Sequence, residues 1–211
     1  MTLANLYEKL TSIPLFRGMS GEELAVVSDR VNLRWVSVGP EQTFIQCNEP
    51  CNHLAVLMEG EMKRITYHDG NTFVVTEKLS GIHIFELEQL YGLTCRYRSD
   101  YVTITSCKML LISKDDVRKT LMNISIFRIN MMNLLSANYC KLLDSKEYST
   151  YDLKEQIMHF GAEEPLTVKI RMVDLGRYLG AARNTISHVL HEMEREGKLS
   201  LRPNMIIYNR D

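Results

Sequence analysis

Polar side chains that suit base recognition stand together near the start of one predicted helix, in the stretch ARNTISHVLHEMEREGKL that follows Gly180. Arg183 can donate two hydrogen bonds to guanine, Asn184 can pair in a bidentate manner with adenine, and Thr185 can reach a base edge or a phosphate. His188 follows Asn184 by about one helical turn and therefore shares its face. Helices that read the major groove present their N-terminal residues to the bases. The pattern predicts a DNA-recognition helix, and a solvated polar helix face is the alternative.

The residues around this helix are those that a helix-turn-helix requires. Gly176, Gly180 and Ile186 are spaced four and then six apart, which suits a small residue at a helix crossing, a turn with positive φ and a β-branched anchor. Gly197 ends the second helix. The apolar faces of the two helices are predicted to come from Leu175, Leu179, Val189, Leu190 and Met193.

A short hairpin is predicted beyond the second helix, over LSLRPNMIIY (199–208), with Pro203-Asn204 at its tip. Such a hairpin would be the wing of a winged helix. Arg202 and Asn204 are candidate phosphate contacts, and ordinary exposed turn residues are an equally open interpretation. The full candidate DNA-contacting set is Arg183, Asn184, Thr185, Ser187, His188, Arg202 and Asn204.

In the first half of the chain, the residue pattern changes from one typical of helices to one typical of strands. Residues 3–30 carry apolar positions three or four apart, interrupted by Pro14 and Gly18, and the pair Ser20 and Glu23 is typical of a capping box. From 33 to 112, short β-rich runs alternate with turns at a spacing of roughly 8–12 residues, which predicts an antiparallel sandwich or barrel. The strongest hairpin signal is Asp69-Gly70.

A helical period returns from 114 to about 147 and carries a broad apolar stripe, wide enough to face the β domain of its own chain on one side and a partner helix on the other, which favours dimerisation through this long helix. Packing only within its own chain is the alternative. Asn138 could define the register of a dimer seam, as buried asparagines do in coiled coils, or could lie on the surface. A further short helix is predicted at 150–161, ended near Gly161, with Pro165 in the connection beyond. The stripe comprises Leu121, Ile124, Phe127, Met131, Leu134, Leu135, Asn138 and Leu142.

Composition limits the class of protein. The chain has 211 residues, 45% of them hydrophobic, with a net charge of −1, so a packed core is expected and the bulk charge does not point to a nucleic-acid partner. MTLANLYEKL lacks the features of a secretory signal, and no stretch reaches the ~18 apolar residues of a membrane helix. The five cysteines have no scaffold-like spacing. A cytoplasmic protein without membrane attachment is expected.

With these motifs in hand, the sequence resembles the Crp/Fnr family of bacterial transcription regulators, most specifically in VDLGRYLGAARNTISHVLHEMEREGKL. The resemblance covers nearly the whole chain. It implies an α+β fold: an antiparallel β-roll (double-stranded β-helix) sensor over 1–113, a dimerisation helix over 114–147 and a winged helix-turn-helix over 148–211. It also implies a homodimer on a palindromic promoter site, RNA polymerase as a further partner, and an effector bound between the β-roll and the long helix.

The recognition helix departs from the family pattern, which carries arginine, then glutamate, then a second arginine four residues later. Arg183 matches the first arginine, but Asn184 replaces the glutamate and His188 replaces the second arginine. A carboxylate accepts from cytosine, whereas asparagine prefers adenine. We therefore expect an operator different from the common TGTGA-type half-site.

The sensor departs as well. GIHIFELEQL (81–90) aligns with the segment that begins the family's cyclic-nucleotide pocket, with Glu86 and Leu87 matching and Phe85 in place of the glycine that lets backbone approach a phosphate. We therefore expect an effector other than cyclic AMP, or none. The candidate pocket set is Phe85, Glu86, Leu87, Asn138 and, as the alternatives for the phosphate-binding arginine, Arg96 and Arg98.

The sequence assigns no cofactor with certainty, and catalysis is not expected. The first cysteine is Cys47, too late for an N-terminal iron–sulfur cluster, and Cys47, Cys51 and His53 have no evident fourth metal ligand. Haem ligation by a histidine such as His53, His68 or His83 stays open. An enzyme is not expected, since 33–112 has no His-x-His pair and no nucleophile-elbow sequence is present. The alternative functions are a small-molecule-sensing β-barrel or a cupin-like enzyme with a degenerate tail.

Overall fold

The structure, a computed structural model, describes residues 2–68, 73–147, 152–160 and 167–209. The predicted Asp69-Gly70 turn, the predicted helix end at Gly161 and Pro165 lie outside the described residues. None of the described helices is long and apolar enough to cross a membrane.

Two short helices begin the fold. They are α1 (Leu3–Ser12) and α2 (Gly21–Arg30), separated by a 3-10 turn at Pro14–Phe16. The predicted capping box is confirmed, because the Glu23 backbone N–H donates to Ser20 Oγ (3.2 Å) while Glu23 Oε2 accepts from the Ser20 backbone N–H (2.8 Å). The apolar faces of both helices join the core below them.

The predicted antiparallel β-roll is confirmed. One sheet has the order β1-β8-β3-β6, and the other contains the order β5-β4-β7-β2. The β4–β5 hairpin is paired in register from Glu61↔Ser80 to His68↔Phe73. Between the sheets lies a core of aliphatic and aromatic side chains. The strands are β1 (Arg34–Val38), β2 (Thr43–Ile45), β3 (His53–Glu59), β4 (Glu61–His68), β5 (Phe73–Ser80), β6 (His83–Ile84), β7 (Ser99–Thr103) and β8 (Cys107–Ser113).

The helical stretch predicted from 114 to 147 is broken rather than continuous. It comprises α3 (Lys114–Lys119), a 3-10 turn at Leu121–Asn123 and α4 (Ser125–Glu147). The break follows from burial, since Leu121 is fully buried and Ile124 takes an extended backbone conformation that turns its side chain into the core. The long helix therefore begins at Ser125.

The C-terminal part is a winged helix, as predicted. Its strand β9 (Thr167–Lys169) pairs antiparallel with β11 (Met205–Tyr208), which pairs with β10 (Leu199–Arg202). A second core, separate from that of the β-roll, lies between this small sheet and the helices. The helices of this part are α5 (Leu153–Phe160), α6 (Met172–Leu179) and α7 (Arg183–Arg195).

Candidate functional site

The crossing of α6 and α7 depends on two glycines, as the spacing predicted. Gly180 ends α6 in the left-handed conformation (φ +66°), which a residue without a Cβ adopts most easily. At Gly176, a Cβ would lie 2.6 Å from the Ala181 carbonyl oxygen and 3.7 Å from Ile186 Cγ1. Since Ile186 is fully buried against this spot, the close approach of the two helices requires glycine at position 176.

The helix α7 separates an apolar face from a polar one. Ile186, Leu190 and Met193 are fully buried in the C-terminal core. On the opposite side Asn184 and His188 are exposed, one turn apart. Arg183 and Thr185 flank them and are exposed, and Ser187 is half-buried at the border of the two faces.

The predicted recognition residues are free to meet a ligand. None of Arg183, Asn184, Thr185, Ser187 and His188 makes a side-chain hydrogen bond or ion pair with another residue that the structure describes. The helix makes no packing contact that covers this surface within the described chain, since its buried face is the opposite one. A row of unpaired donors on a rigid element is what base readout requires.

The backbone at the start of α7 adds to this surface. The N-cap residue, Ala182, has no side chain that can accept a hydrogen bond, so the first backbone N–H groups of the helix are uncapped. These donors and the positive end of the helix dipole favour a phosphate oxygen at this position. The helix start can thus contact the DNA backbone while the side chains contact bases.

One residue on this face was missed by the sequence-based prediction. His191 is exposed and follows His188 by three residues, which extends the polar face of α7 along the same side. Its Nδ1 lies 3.4 Å from Glu194 Oε2, and its carbonyl oxygen accepts from Arg195 Nε at 3.3 Å. The three-residue spacing of His188 and His191 in the sequence would have placed His191 on this face.

A buried carboxylate sets the start of α6. Asp174, whose side chain is 2% exposed, accepts two hydrogen bonds from Arg171, from Nε (2.6 Å) and Nη2 (3.1 Å). These hydrogen bonds hold the pKa of Asp174 below its ordinary value. Charge-assisted bidentate pairs are directional, so this pair orients the helix that carries Gly176.

The wing is present, but its two predicted contact residues differ in character. Arg202 is exposed at the end of β10. Asn204 adopts a positive φ of 54° in the two-residue loop and its carbonyl oxygen accepts from the Ile170 backbone N–H (2.9 Å). Asparagine tolerates this conformation better than most residues. The turn therefore accounts for Asn204 without any ligand.

Aromatic side chains pack together in the interior of the β-roll. Phe85 is 1% exposed. Its ring centroid lies 4.7 Å from that of Tyr101, 5.6 Å from that of His83 and 5.9 Å from that of Phe44. The ring thus occupies space that a glycine at this position would leave open.

The Glu86 carboxylate is used internally as well. It is 8% exposed, accepts from the Arg98 backbone N–H (2.7 Å) and accepts from Tyr101 O–H (3.2 Å). Burial raises the pKa of Glu86. Its backbone has a positive φ of 33°, a conformation that is costly for a residue with a Cβ. These contacts connect the 86 turn to β7.

The remaining candidate pocket residues differ in exposure and in their contacts. Leu87 is buried, whereas the Arg98 side chain is exposed and only its backbone reaches Glu86. Arg96 Nη1 donates to the Asn48 carbonyl oxygen (2.5 Å). Asn138 is exposed on α4 and forms no hydrogen bond to these residues in the described chain. That this set forms an effector pocket stays a prediction.

An ion pair between β4 and β5 lies beside these polar groups of the β-roll. Arg64 and Glu77 are direct cross-strand partners, and Arg64 Nη2 donates to Glu77 Oε1 (2.7 Å). Arg64 is also the cross-strand partner of Tyr101. Burial first, and then the charge of Arg64, lower the pKa of His83 to about 4. A row of polar groups therefore runs from Glu86 to β5.

The candidate metal ligands Cys47 and Cys51 direct their thiols at backbone carbonyl oxygens, and the His68 side chain lies outside the described part of the chain. The Cys47 thiol donates to the Arg98 carbonyl oxygen (3.3 Å), and the Cys51 thiol lies 3.9 Å from the His53 carbonyl oxygen. His53 is half-buried on β3. Within the described residues, no three His, Cys, Asp or Glu side chains are grouped as metal ligands would be.

The apolar stripe predicted on the long helix packs within its own chain. Leu121, Ile124, Phe127 and Met131 are buried in the β-roll core, with Leu134 and Leu135 partly buried against it. The β-roll therefore covers one side of the stripe, and dimerisation through the other side of the long helix stays a prediction. Asn138 is exposed in the described chain, and the Leu142 side chain lies outside the part that the structure describes.

A second apolar face of α4, formed by residues outside the predicted stripe, is left exposed. Ile129, Met132, Tyr139 and Leu143 are 48%, 59%, 61% and 42% exposed. With Ser136 between them, their spacings are three, four, three and four, which is the a/d spacing of a coiled coil. The helix is thus apolar on two sides, one of them covered by the β-roll.

Comparisons with solved structures identify the fold. The catabolite activator protein of Thermus thermophilus is 18% identical over 93% of each chain, with a TM-score of 0.53. A Crp/Fnr-family transcriptional regulator from Eubacterium rectale is 16% identical over 93% of each chain, with a TM-score of 0.57. The c-di-GMP-responsive regulator CLP of Xanthomonas campestris is 14% identical over 91% of this chain and 100% of its own, with a TM-score of 0.53.

No protein-family model matches the chain, and no curated protein matches it in sequence. At identities of 14–18% the likeness concerns the fold. The chain has the Crp/Fnr-type fold, and the predicted α+β arrangement of β-roll, long helix and winged helix-turn-helix is confirmed.

Proposed function

We propose that this chain, which has the fold of the Crp/Fnr regulators, is a sequence-specific DNA-binding regulator of transcription and not an enzyme. The observation that carries the proposal is the exposed polar face at the start of α7, where Arg183, Asn184 and His188 have no partner among the described residues. Arginine suits guanine and asparagine suits adenine. Arg202 on the wing is proposed as a phosphate contact.

The proposed active species is a homodimer on a palindromic site. Support comes from the uncovered face of α4, since Ile129, Met132, Tyr139 and Leu143 would otherwise expose apolar area to water. Two copies joined along this face present one recognition helix each. Half-sites about one DNA turn apart, ~34 Å, suit such a dimer.

The same proposal assigns the units of the chain. Residues 1–113 form the sensor, 114–147 the dimerisation segment and 148–211 the DNA-binding unit. The protein acts in the cytoplasm, with RNA polymerase as a further partner. Its effector is one other than cyclic AMP, or none, and the support is the Phe85 ring packed against Tyr101 at a centroid distance of 4.7 Å.

Selection of binding sites from random duplex DNA tests the proposal. We expect a palindromic consensus whose half-site differs from TGTGA. Affinity for the selected duplex should fall steeply as salt is raised from about 50 to about 200 mM, because phosphate contacts release counterions. Recovery of no consensus, or of the TGTGA half-site itself, would contradict the proposal or its specificity part, respectively.

A matched pair of variants separates base contact from bulk charge. Arg183→Ala removes a guanidinium from the recognition face, and Arg30→Ala removes an equally exposed one at the end of α2. Loss of a bidentate base contact costs about 1–3 kcal/mol, so Arg183→Ala should weaken binding roughly 5- to 150-fold, whereas Arg30→Ala should not. Equal effects of the two variants would refute the assignment of Arg183.

A further inference from the structure

We propose that the pairing of β5 with β9 is a regulatory joint through which the state of the β-roll sets the orientation of the DNA-binding unit. The pairing is antiparallel and covers Val74↔Lys169, Val75↔Val168 and Thr76↔Thr167. It merges strands of the sensor and of the winged helix into one sheet of seven strands, in the order β10-β11-β9-β5-β4-β7-β2. This inference rests on the proposed function, whose regulation it describes.

Side-chain packing reinforces the backbone pairing. Val168 is fully buried in the C-terminal core, and Val75, its cross-strand partner, packs against the same core although it belongs to the sensor. Directly opposed side chains lie on the same face of a sheet. The joint is therefore a shared apolar contact as well as a strand pair, and opening it exposes apolar surface on both units.

The joint is continuous with the polar interior of the sensor. Glu77 is the next residue on β5 after Thr76, and its buried side chain forms an ion pair with the half-buried Arg64. The partner of Arg64 on the other side is Tyr101, which donates to Glu86 at 3.2 Å. A shift of these polar side chains displaces β5. Because β9 pairs with β5, the same shift disturbs the pairing of β5 with β9.

Strand pairing suits a switch because it is either in register or lost. A one-residue slip would turn Val168 to the wrong face, so intermediate registers are disfavoured. The paired state leaves Arg183, Asn184 and His188 exposed, and it holds the recognition helix in a fixed orientation before DNA arrives. Preorganisation reduces the entropy lost on binding. We therefore assign the paired state as the DNA-binding state.

Disulfide trapping tests the joint. In a Cys140→Ser background, which removes the exposed native thiol, Thr76→Cys with Thr167→Cys places two thiols at directly opposed positions. Thr76→Cys with Lys169→Cys is the matched control, displaced by two residues and hence about 7–8 Å apart. We expect the in-register pair to cross-link within one chain, and the displaced pair to cross-link at least tenfold more slowly. Equal rates, or no in-register cross-link, would overturn the proposal.

The cross-link also tests the assigned direction. Binding is measured with the duplex that the native chain selects from random DNA, before and after reduction of the in-register disulfide. Coupling between sites typically amounts to 5- to 150-fold in affinity, so we expect the oxidised form to bind about fivefold more tightly or better. Unchanged or weaker binding by the oxidised form would refute the joint as a regulatory contact.

A charge pair gives a second test without cysteines. Val74 is half-buried and lies opposite the exposed Lys169. Val74→Glu places an opposite charge across the joint and Val74→Lys a like one, and cross-strand pairs of these kinds stabilise and destabilise sheets, respectively. We expect Val74→Glu to bind the selected duplex about threefold more tightly than Val74→Lys. Direct attraction to phosphates predicts the reverse order, so that order would refute the joint.

The two proposals fail in different ways. Efficient in-register cross-linking with no DNA binding in either redox form would refute the proposed function and, with it, the regulatory role of the joint. Intact DNA binding with no in-register cross-link would refute the joint alone. Intact DNA binding together with the expected cross-linking and affinity changes supports both.

Discussion

Substitution of Gly176 by alanine is the sharpest test of the helix-turn-helix geometry. The new Cβ would meet the Ala181 carbonyl oxygen at 2.6 Å, whereas Cβ atoms essentially never come closer than 3.0 Å to such an atom. The obstacle is backbone in the turn itself, so it cannot rotate away as a side chain would. The turn or the helix α7 must therefore move by several tenths of an ångström.

The magnitude of the effect follows from what this movement disturbs. The Gly176 carbonyl oxygen accepts from the Ala181 backbone N–H (2.8 Å) inside the same turn, and Ile186 packs against the glycine from α7. Overpacking of a buried contact costs about 1–3 kcal/mol. A shift of several tenths of an ångström also lengthens hydrogen bonds from α7 to bases toward the limit of ~3.5 Å, at which they weaken steeply.

Two other glycine substitutions provide controls. Gly180→Ala meets open space and introduces only the strain of a positive φ (+66°), which costs about 1 kcal/mol. Gly21→Ala, at the start of α2, meets nothing within 4 Å and has no positive φ, so it should be neutral or slightly stabilising.

The assays are urea unfolding and binding to the selected duplex at a temperature where each variant is folded. We expect Gly176→Ala to be the most destabilising of the three, followed by Gly180→Ala and then Gly21→Ala. We also expect Gly176→Ala to lower the affinity for DNA at least tenfold. A Gly176→Ala protein as stable as the Gly21→Ala protein, with unchanged DNA affinity, would refute the steric reasoning.

Further substitutions address the other parts of the molecule. Asn184→Glu should move the preferred base from adenine to cytosine, by about 1–3 kcal/mol, in a repeated site selection; an unchanged consensus would argue against base contact. Met132→Asp should produce monomers in analytical ultracentrifugation, while Ala137→Asp, exposed elsewhere on α4, should not. Phe85→Ala should lower the free energy of unfolding by about 3–5 kcal/mol, measured in urea, and a smaller effect than Leu→Ala changes on the surface would refute its packing role. The pKa of His83 is lowered from 6.5 to about 4 in the folded chain, so below pH 6.5 the imidazole is protonated more readily in the unfolded chain than in the folded one. The free energy of unfolding is therefore highest above pH 6.5 and decreases by about 2–3 kcal/mol as the pH falls toward 4. His83→Asn should flatten this dependence in urea midpoints at pH 7 and pH 5, and an equal slope would contradict it.

The features predicted from sequence alone are those governed by nearby residues. The Ser20–Glu23 capping box, the positive φ of Gly180 and the hairpin around Pro203-Asn204 each involve groups within a few positions of one another. Backbone sterics and local hydrogen bonds decide such features before any tertiary contact forms. The same applies to the polar face of α7, because helical periodicity separates Asn184 and His188 from Ile186.

Long-range packing decided what local patterns left open. Two apolar faces compete on α4, and the sequence does not show which one the β-roll covers; the fold buries Phe127 and Met131 and leaves Met132 and Tyr139 exposed. The interruption before α4 has the same origin, since burial of Leu121 and Ile124 outweighs helical continuity.

The amino-acid sequence by itself determined the order of elements, the glycine-dependent crossing of α6 and α7, and the residue types on the polar face of α7. Only the tertiary structure decided that Glu77 meets Arg64 and that β5 takes β9 as its neighbour, with Thr76 and Thr167 as partners. The physical reason is that a strand edge can pair with many segments of similar composition. The choice among them depends on which pairing also buries side chains such as Val75 and Val168 in a common core.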